Sequence, residues 1–210
     1  MSLHDLRPLF ERLARAFEEK RDELIALDGK VGDSDLGITM AKGFAAARDA
    51  VSALGAASPA AQAKHAGAAI AKAAPSTMGT LMGTGFLRGS KAIETAESVG
   101  TAELAAFFAA FRDGIAQRGR AKLGDKTVLD VLDPIAAALE AEAARGTAPE
   151  PALAHAVEAA RDGLEKTRDL VAQHGKAAAF QEKSRGLPDA GGTAALILAE
   201  AFHAAFAEAG

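Results

Sequence analysis

The chain contains the stretch Leu27-Asp28-Gly29-Lys30-Val31-Gly32-Asp33-Ser34-Asp35-Leu36-Gly37, in which three aspartates and three glycines share eleven residues. Asp33 and Asp35 alternate, so their side chains leave an extended or looped backbone on the same side. In a helix the two side chains would point about 200° apart and could not converge. Asp28 joins them if a helix ends near it and the glycines turn the chain back. The stretch therefore predicts a break between two helices at which three carboxylates meet.

These carboxylates predict a site for a divalent cation. Held this close, they repel one another unless a hard cation lies between them. We therefore predict a magnesium site with Asp28, Asp33 and Asp35 as its ligands. An EF-hand loop starting at Asp33 is excluded, because it would need an acid at Gly37 and a glutamate at Phe44. A purely structural explanation stays open, because Asp and Gly are also common in turns and helix caps.

The composition favours closely packed helices over sheets. Of the 210 residues 49% are hydrophobic, and much of that share is alanine, a strong helix former. Aromatic residues make up only 5%, with no Trp or Tyr. A net charge of −4 gives no reason to expect nucleic acid or an anionic membrane as a partner.

The same features indicate a cytoplasmic location. The absence of cysteine excludes disulfides, fits a reducing compartment and argues against zinc. The start of the chain, Met1-Ser2-Leu3-His4-Asp5, lacks the basic and apolar regions of a signal peptide. No apolar run approaches the roughly 20 residues that a membrane-spanning helix needs. We therefore expect a soluble cytoplasmic protein.

Apolar residues recur with helical spacing along the whole chain, and no segment alternates with period two. This pattern predicts an all-α fold, an antiparallel up-and-down barrel or bundle of about eight helices that forms a single domain over residues 1–210. The predicted helices run from Leu3 to Leu27, from about Leu36 through Val51, from Ser58-Pro59 to about Lys72, from about Met78 to Ala96, from a cap at Thr101 through Phe111, from Asp125 or Lys126 to Arg145, from Pro149 and Pro151 through Val171, and from about Gly191 to Glu208.

Polar residues gather in four turns, at residues 28–37, 75–80, 119–127 and 181–191. Two helices or an equivalent length separate each turn from the next, so an antiparallel bundle could place all four at one rim. Hydroxyls and glycines at a helix start offer free backbone N–H groups to an anion. Each turn taken alone is also explained as an ordinary cap or solvated loop. None of them is a Walker A loop or a protein-kinase signature.

Taken together, these motifs resemble the L subunit of dihydroxyacetone kinase, the nucleotide-binding module that is also fused within ATP-dependent dihydroxyacetone kinases. The resemblance spans nearly the whole chain in the same order. It rests on Leu27-Asp28, Gly32-Asp33-Ser34-Asp35-Leu36-Gly37, Met40, Gly43-Phe44, Gly79, Gly83-Thr84, Gly124-Asp125-Lys126-Thr127, Asp130-Val131-Leu132, Pro134, Ser184, Gly186 and Asp189-Ala190-Gly191.

The resemblance implies a barrel of eight antiparallel helices that binds ADP or ATP and two Mg²⁺ ions at one rim. It implies that Asp28, Asp33 and Asp35 ligate the metal and hold the nucleotide through its phosphates; no catalytic residue is assigned beyond them. The residues implied to line the phosphates are Leu36, Gly37, Ile38, Thr39, Thr77 and Met78. Those implied to complete the nucleotide pocket are Gly119, Val128, Lys176, Asp189, Ala190 and Gly191.

The resemblance also implies the reaction and the partners. The chain would be the phosphotransferase subunit that positions the nucleotide, and a separate K-type subunit would hold the alcohol acceptor, dihydroxyacetone or another short ketose or sugar. The chain alone should therefore bind nucleotide without completing the transfer. Two modes stay open: ATP is consumed directly, or ADP stays bound as a coenzyme that a phosphotransferase-system phosphoprotein recharges.

Several positions depart from the usual family pattern. Leu36 stands in place of histidine, Ser34 in place of glycine and Lys176 in place of arginine, and Met78 lacks a phosphate-contacting hydroxyl.

The alternative function is a lipid-binding or regulatory module related to the nucleotide domain of fatty-acid kinases, whose barrel could enclose an acyl chain. No role is assigned to the scattered histidines, His4, His65, His155, His174 and His203.

Overall fold

The computed structural model describes residues 2–208, and this range contains nine α-helices and no β-strand. Two 3₁₀ segments, Thr167–Asp169 and Lys176–Ser184, lie between the last two α-helices. The α-helices are α1 (Arg7–Glu19), α2 (Arg21–Asp28), α3 (Leu36–Ser52), α4 (Pro59–Ala73), α5 (Thr77–Ala92), α6 (Thr101–Gly119), α7 (Leu129–Arg145), α8 (Pro149–Lys166) and α9 (Ala190–Glu208). The prediction of an all-α fold is confirmed.

The helices form a closed ring. From α3 to α9 each helix packs against the next one along the chain, and α9 packs back against α1. The first two helices share one place in the ring, because both pack against α3 and both contact α9. Eight helical positions match the predicted up-and-down barrel, with short connections between neighbours except for residues 167–189 between α8 and α9.

The prediction of one unbroken helix from Leu3 to Leu27 is wrong. Leu3 instead forms an isolated β-bridge with Val99, and the first helix begins only at Arg7. The helix then breaks at Lys20, whose φ of −93° and ψ of 3° are not helical. The break separates α1 from α2, and the start of α2 lies against the first turn of α3.

Three other boundaries differ from the predicted ones. Helix α5 ends at Ala92 rather than Ala96, and α8 ends at Lys166, before Val171. The helix expected from Asp125 or Lys126 begins at Leu129, because the carboxylate of Asp130 accepts backbone hydrogen bonds within the preceding loop. Local side-chain bonds thus delay the start of α7, which the apolar pattern alone would place earlier.

The interior of the barrel is filled by side chains. Phenylalanines from five helices contact one another there: Phe10, Phe17, Phe44, Phe86, Phe107, Phe108, Phe111 and Phe202. The cavity among them has a volume of about 10 Å³. That is about the room of one water molecule, far too little for an acyl chain. The lipid-binding alternative therefore finds no support in the core.

Helix α9 is long and apolar enough to cross a membrane by length and composition, so the expectation that no segment approaches this limit is wrong for α9. The structure explains its composition, because 61% of its apolar 18-residue stretch is buried inside the barrel. The helix packs against α1, α7 and α8. A core helix of a ring needs apolar residues on most of its faces.

Candidate functional site

Four connecting segments lie at the same end of the barrel. In an up-and-down ring every second connection returns to one end, so helices α3, α5, α7 and α9 all begin there. We define the polar rim as residues 28–37, 74–80, 119–128 and 167–191. Contacts between side chains of different segments, described below, join these four segments into one surface.

The three aspartates converge at the polar rim. One carboxylate oxygen from each of Asp28, Asp33 and Asp35 lies within 4.8 Å of the other two. Asp28 is the last residue of α2 and is partly buried, whereas the other two are exposed. Its Oδ2 accepts a hydrogen bond from the backbone N–H of Asp35 at 3.0 Å. The helix end and the return of the chain therefore occur where the sequence predicted them.

Small residues make this return possible. A Cβ at Gly32 would lie 2.2 Å from Oδ1 of Asp28, so no larger residue fits without moving that carboxylate. A Cβ at Gly37 would lie 2.1 Å from the backbone oxygen of Arg21, where α3 crosses the start of α2. Ser34 adopts a left-handed φ of 63°, which non-glycine residues rarely take.

The aspartate cluster attracts positive charge. Burial, with a further contribution from Asp28, raises the pKa of Asp35. The ammonium group of Lys176 forms an ion pair with Asp33, and its Nζ lies 3.9 Å from Oδ2 of Asp35. A cationic group of the chain itself therefore lies between two of the carboxylates. Oxygen-only ligands that already draw in a cation fit Mg²⁺, which prefers carboxylates.

Three residues implied to line the nucleotide pocket meet where helices α5, α7 and α9 begin. A Cβ at Gly191 would lie 3.3 Å from the Cβ of Val128 and 3.5 Å from the Cε of Met78. Val128 is buried and Met78 is half-buried. The starts of three helices from distant parts of the chain thus form one wall of the polar rim.

The first turn of α3 contributes backbone rather than side chains. Leu36, Gly37 and Thr39 are buried in the packing of α3, whereas Ile38 is 56% exposed. The backbone N–H of Leu36 lies 3.4 Å from Oδ2 of Asp28. At the start of α5, Thr77 is exposed and the preceding serine caps the helix.

Gly119 lies at the edge of this arrangement. It is the last residue of α6, and a Cβ placed on it would have the side chain of Leu81 as its nearest neighbour, at 3.5 Å. The structure therefore brings it beside α5 rather than against the aspartates or Gly191. Among the residues implied to form the nucleotide pocket, Gly119 is the one least connected to the others by the described contacts.

Asp189 and Ala190 mark the start of α9. Oδ2 of Asp189 accepts a hydrogen bond from the backbone N–H of Gly192 at 2.6 Å, which caps the helix. Burial raises the pKa of Asp189 to about 7, against the opposing effects of this bond and of the ammonium of Lys126. A carboxyl group that titrates near neutral pH therefore lies beside the wall formed by Gly191 and its neighbours.

Sequence reasoning missed a group of residues that join the loops of the polar rim. Nε2 of His174 lies 2.9 Å from Oδ2 of Asp125, which is buried. The buried ammonium of Lys126 donates to the backbone oxygens of Thr167 and Leu187, and burial lowers its pKa. The Gly124-Asp125-Lys126-Thr127 motif is distinctive in the sequence, but spacing alone does not reveal which loops it contacts.

A family model described as the DAK2 domain matches residues 30–204. The chain belongs to the DAK2 domain family. The matched range covers most of the polar rim, including Asp33 and Asp35, and begins just after Asp28. The resemblance that the motifs indicated is therefore confirmed at the level of the family.

Two DAK2 relatives match along most of their length. The chain is 28% identical over 187 residues to the ADP-binding subunit of the PEP-dependent dihydroxyacetone kinase of Escherichia coli, covering 89% of each chain. It is 33% identical over 187 residues to the corresponding ADP-binding subunit of kinase 1 of Listeria innocua, covering 89% of this chain and 87% of that one.

A solved structure shares the DAK2 fold. The dihydroxyacetone kinase from C. freundii, in complex with AMP-PNP and Mg²⁺, superposes with a TM-score of 0.72 at 23% identity. The match covers 95% of this chain and 33% of that one, so this chain spans about a third of the solved protein. At this identity the likeness supports the helical barrel and no finer detail.

Proposed function

We propose that the chain is the nucleotide-binding subunit of a dihydroxyacetone-type kinase, which takes ADP or ATP with two Mg²⁺ ions at the polar rim. The observation that carries the proposal is the convergence of Asp28, Asp33 and Asp35 beside the starts of four helices. Helix starts favour phosphate, and carboxylates favour the cation that accompanies it. The names of the two relatives, both ADP-binding subunits, support the same ligand.

In this proposal the three aspartates hold the metal, and the chain around them orients the nucleotide. When bound, Mg²⁺ offsets the charge that develops on the phosphate oxygens during phosphoryl transfer. The backbone at the first turns of α3 and α5 faces the phosphates, through Leu36, Gly37, Ile38, Thr39, Thr77 and Met78. The rest of the nucleotide contacts Gly119, Val128, Lys176, Asp189, Ala190 and Gly191.

Lys176 has a defined part in this arrangement. Its ammonium group already lies among the carboxylates, and its long side chain is 61% exposed at the polar rim. A side chain of this length can reach a phosphate oxygen while its backbone stays in place. We propose that it moves from Asp33 to the phosphates when nucleotide and metal bind.

The acceptor is a hydroxyl of dihydroxyacetone or another short ketose or sugar, held by a K-type partner subunit. Ile38, Leu123 and Phe180 are exposed large apolar residues on the segments around the polar rim. Apolar side chains around a charged site suit contact with another protein.

The relatives' designation as PEP-dependent favours the mode in which bound ADP is recharged by a phosphotransferase-system phosphoprotein. A single domain over residues 1–210, located in the cytoplasm, completes the proposal.

Calorimetry and a transfer assay test the proposal in sequence. Titration of the purified chain with ADP should give binding in the presence of Mg²⁺ and a large loss of affinity with EDTA. ATP and dihydroxyacetone should then give no product with this chain alone, and product should form when a K-type subunit is added. Absence of Mg²⁺-dependent ADP binding would refute the site, whereas turnover by the chain alone would refute the division between subunits.

A further inference from the structure

The segment that carries Lys176 is tied to a loop from the other side of the polar rim. Residues 170–175 cross the rim without regular secondary structure. The backbone N–H of Ala172 donates to Oγ of Ser184 at 3.0 Å, and that of Gln173 donates to the backbone oxygen of Asp125 at 3.0 Å. These bonds fix the segment three to four residues before it reaches Lys176.

His174 adds a side-chain bond to the same anchor. Its Nε2 lies 2.9 Å from Oδ2 of Asp125, an oxygen that also accepts the backbone N–H of Lys122 at 2.9 Å. Asp125 is only 5% exposed, so its position is set by the surrounding chain. The hydrogen bond from Lys122 and that with His174 lower the pKa of Asp125, against the opposing effect of burial.

Gly175 then turns the chain toward the aspartates. Its φ of 65° and ψ of −160° lie in a region that is essentially restricted to glycine. A Cβ at this position would have no neighbour within 4 Å, so the requirement is conformational rather than steric. The turn lies between His174 and Lys176, and it directs the ammonium group to Asp33 and Asp35.

We infer that His174 and Asp125 form a positioning pair that holds the backbone of Lys176 over the phosphate site. The inference deepens the proposed function and rests on it. A lysine side chain has many rotamers, so the placement of its charge depends on how firmly its backbone is held. Asp125 also precedes Val128, so the same pair joins two sides of the nucleotide pocket. Neither residue touches the nucleotide in this arrangement; both act through Lys176.

A double-mutant cycle in the intact chain separates this role from a general structural one. Calorimetry measures the Kd for Mg²⁺-ADP in wild type, His174→Ala, Lys176→Ala and the double variant. We expect His174→Ala to weaken binding about 5- to 10-fold when Lys176 is present, and less than about 2-fold in the Lys176→Ala background. His174→Gln, which keeps a hydrogen-bonding side chain toward Asp125, should restore much of the affinity.

A matched control is available at the other end of the barrel. Nε2 of His203 lies 3.0 Å from Oε1 of Glu150, a similar imidazole–carboxylate pair. His203→Ala should leave the affinity for Mg²⁺-ADP unchanged. Hydrogen exchange of the metal-free protein gives a second readout: the amide of Gln173 should exchange faster in His174→Ala and at the wild-type rate in His203→Ala.

Each outcome decides for or against the inference. An equal loss of affinity from His174→Ala in both backgrounds would overturn it, because the histidine would then act independently of Lys176. Unchanged affinity in His174→Ala, in a protein whose wild type binds Mg²⁺-ADP and whose Asp33→Asn variant does not, would overturn the inference and leave the proposed function standing. A wild type that does not bind Mg²⁺-ADP would remove both.

Discussion

The two ends of the barrel use polar side chains differently. We define the far rim as residues 2–6, 53–58, 93–100 and 146–148, together with the helix ends that adjoin them. There the backbone N–H of Leu6 donates to Oε1 of the buried Gln62 at 2.6 Å. Buried Glu142 accepts a hydrogen bond from the hydroxyl of Thr147, whose backbone oxygen accepts the hydroxyl of Thr101. These bonds close the connections between helices.

At the polar rim, by contrast, charges stay available for a ligand. Ser76 and Asp189 cap α5 and α9, but the N-cap residues of α3 and α7 make no side-chain capping bond. Three carboxylates lie together beside the start of α3. The repulsion among the aspartates is offset in this structure by one exposed lysine, Lys176. The comparison indicates that far-rim substitutions should change stability, whereas substitutions in the aspartate cluster of the polar rim should change ligand affinity more than stability.

The largest expected effect is the loss of nucleotide binding in Asp33→Asn. The substitution removes the charge of one of the three proposed metal ligands, so we expect the affinity for Mg²⁺-ADP to fall by more than about 100-fold. Such a loss exceeds the cost of removing a residue that only supports a ligand. The helical circular dichroism spectrum should be unchanged, since Asp33 is exposed and packs in no core. Calorimetric titration of Mg²⁺-ADP into wild type and variant measures the effect.

Asp49→Asn is the matched control for Asp33→Asn. Asp49 lies near the far end of α3, its side chain is 68% exposed, and within residues 2–208 its ion pair is with the neighbouring Arg48. The control changes the net charge by the same amount, and it should bind Mg²⁺-ADP as wild type does. If Asp33→Asn binds with wild-type affinity, Asp33 is not a metal ligand.

The next effect is a loss of stability at the far rim in Gln62→Leu. Leucine has a similar size, but it leaves the backbone N–H of Leu6 without an acceptor and Asp5 without its bond from Nε2. A buried donor left without a partner costs about 1–3 kcal/mol, so the free energy of unfolding should fall by that amount. Urea denaturation monitored by circular dichroism measures it, and the affinity for Mg²⁺-ADP should not change.

Gln117→Leu controls for the change of side chain itself. Gln117 is exposed on α6, where its Oε1 accepts from the guanidinium of Arg88. Its replacement should alter stability by less than about 0.5 kcal/mol. Equal destabilisation by the two variants would mean that the bond to Leu6 is not what stabilises the far rim.

A second effect on stability, of similar size, concerns its pH dependence through Asp189. Its pKa is about 7 in the folded chain, against 3.8 as the ordinary value, so the folded state binds the proton more tightly than the unfolded state. Stability therefore falls as pH rises between about 4 and 7, and the whole cost is present above pH 7. Asp189→Asn removes this cost and can still accept the helix-capping bond.

We expect metal-free Asp189→Asn to exceed wild type in unfolding free energy by about 1–3 kcal/mol at pH 8, and by much less at pH 4.5. Denaturation curves at the two pH values provide the comparison. Asp22→Asn, whose side chain is 83% exposed, should show no such pH-dependent difference from wild type. A stabilisation that is the same at both pH values would contradict the role of proton binding.

The sequence predicted the barrel because each helix carries its own apolar pattern and each connection carries glycine or proline. The aspartate cluster could be predicted for a similar reason, since all three residues lie within eight positions of one another. The break at Lys20 could not be predicted, because the apolar pattern continues through it and the break depends on how α2 packs against α3. The pairing of His174 with Asp125 joins residues 49 positions apart, and no local pattern indicates such a contact.

The smallest expected effect is at Ser34, whose backbone takes a conformation that favours glycine. The left-handed φ of 63° costs a serine about 1 kcal/mol, and glycine would remove that cost. Glycine also raises the conformational entropy of the unfolded chain, which offsets part of the gain in stability. Ser34→Gly should therefore stabilise the metal-free protein by less than about 1 kcal/mol in urea denaturation. Because the Ser34 side chain packs toward Gly29 rather than serving as a metal ligand, the affinity for Mg²⁺-ADP should change by less than about 2-fold. A tenfold loss of affinity would show that the serine hydroxyl itself contacts the ligand. The binding site at the polar rim would then include Ser34 as well as the three carboxylates and the helix starts.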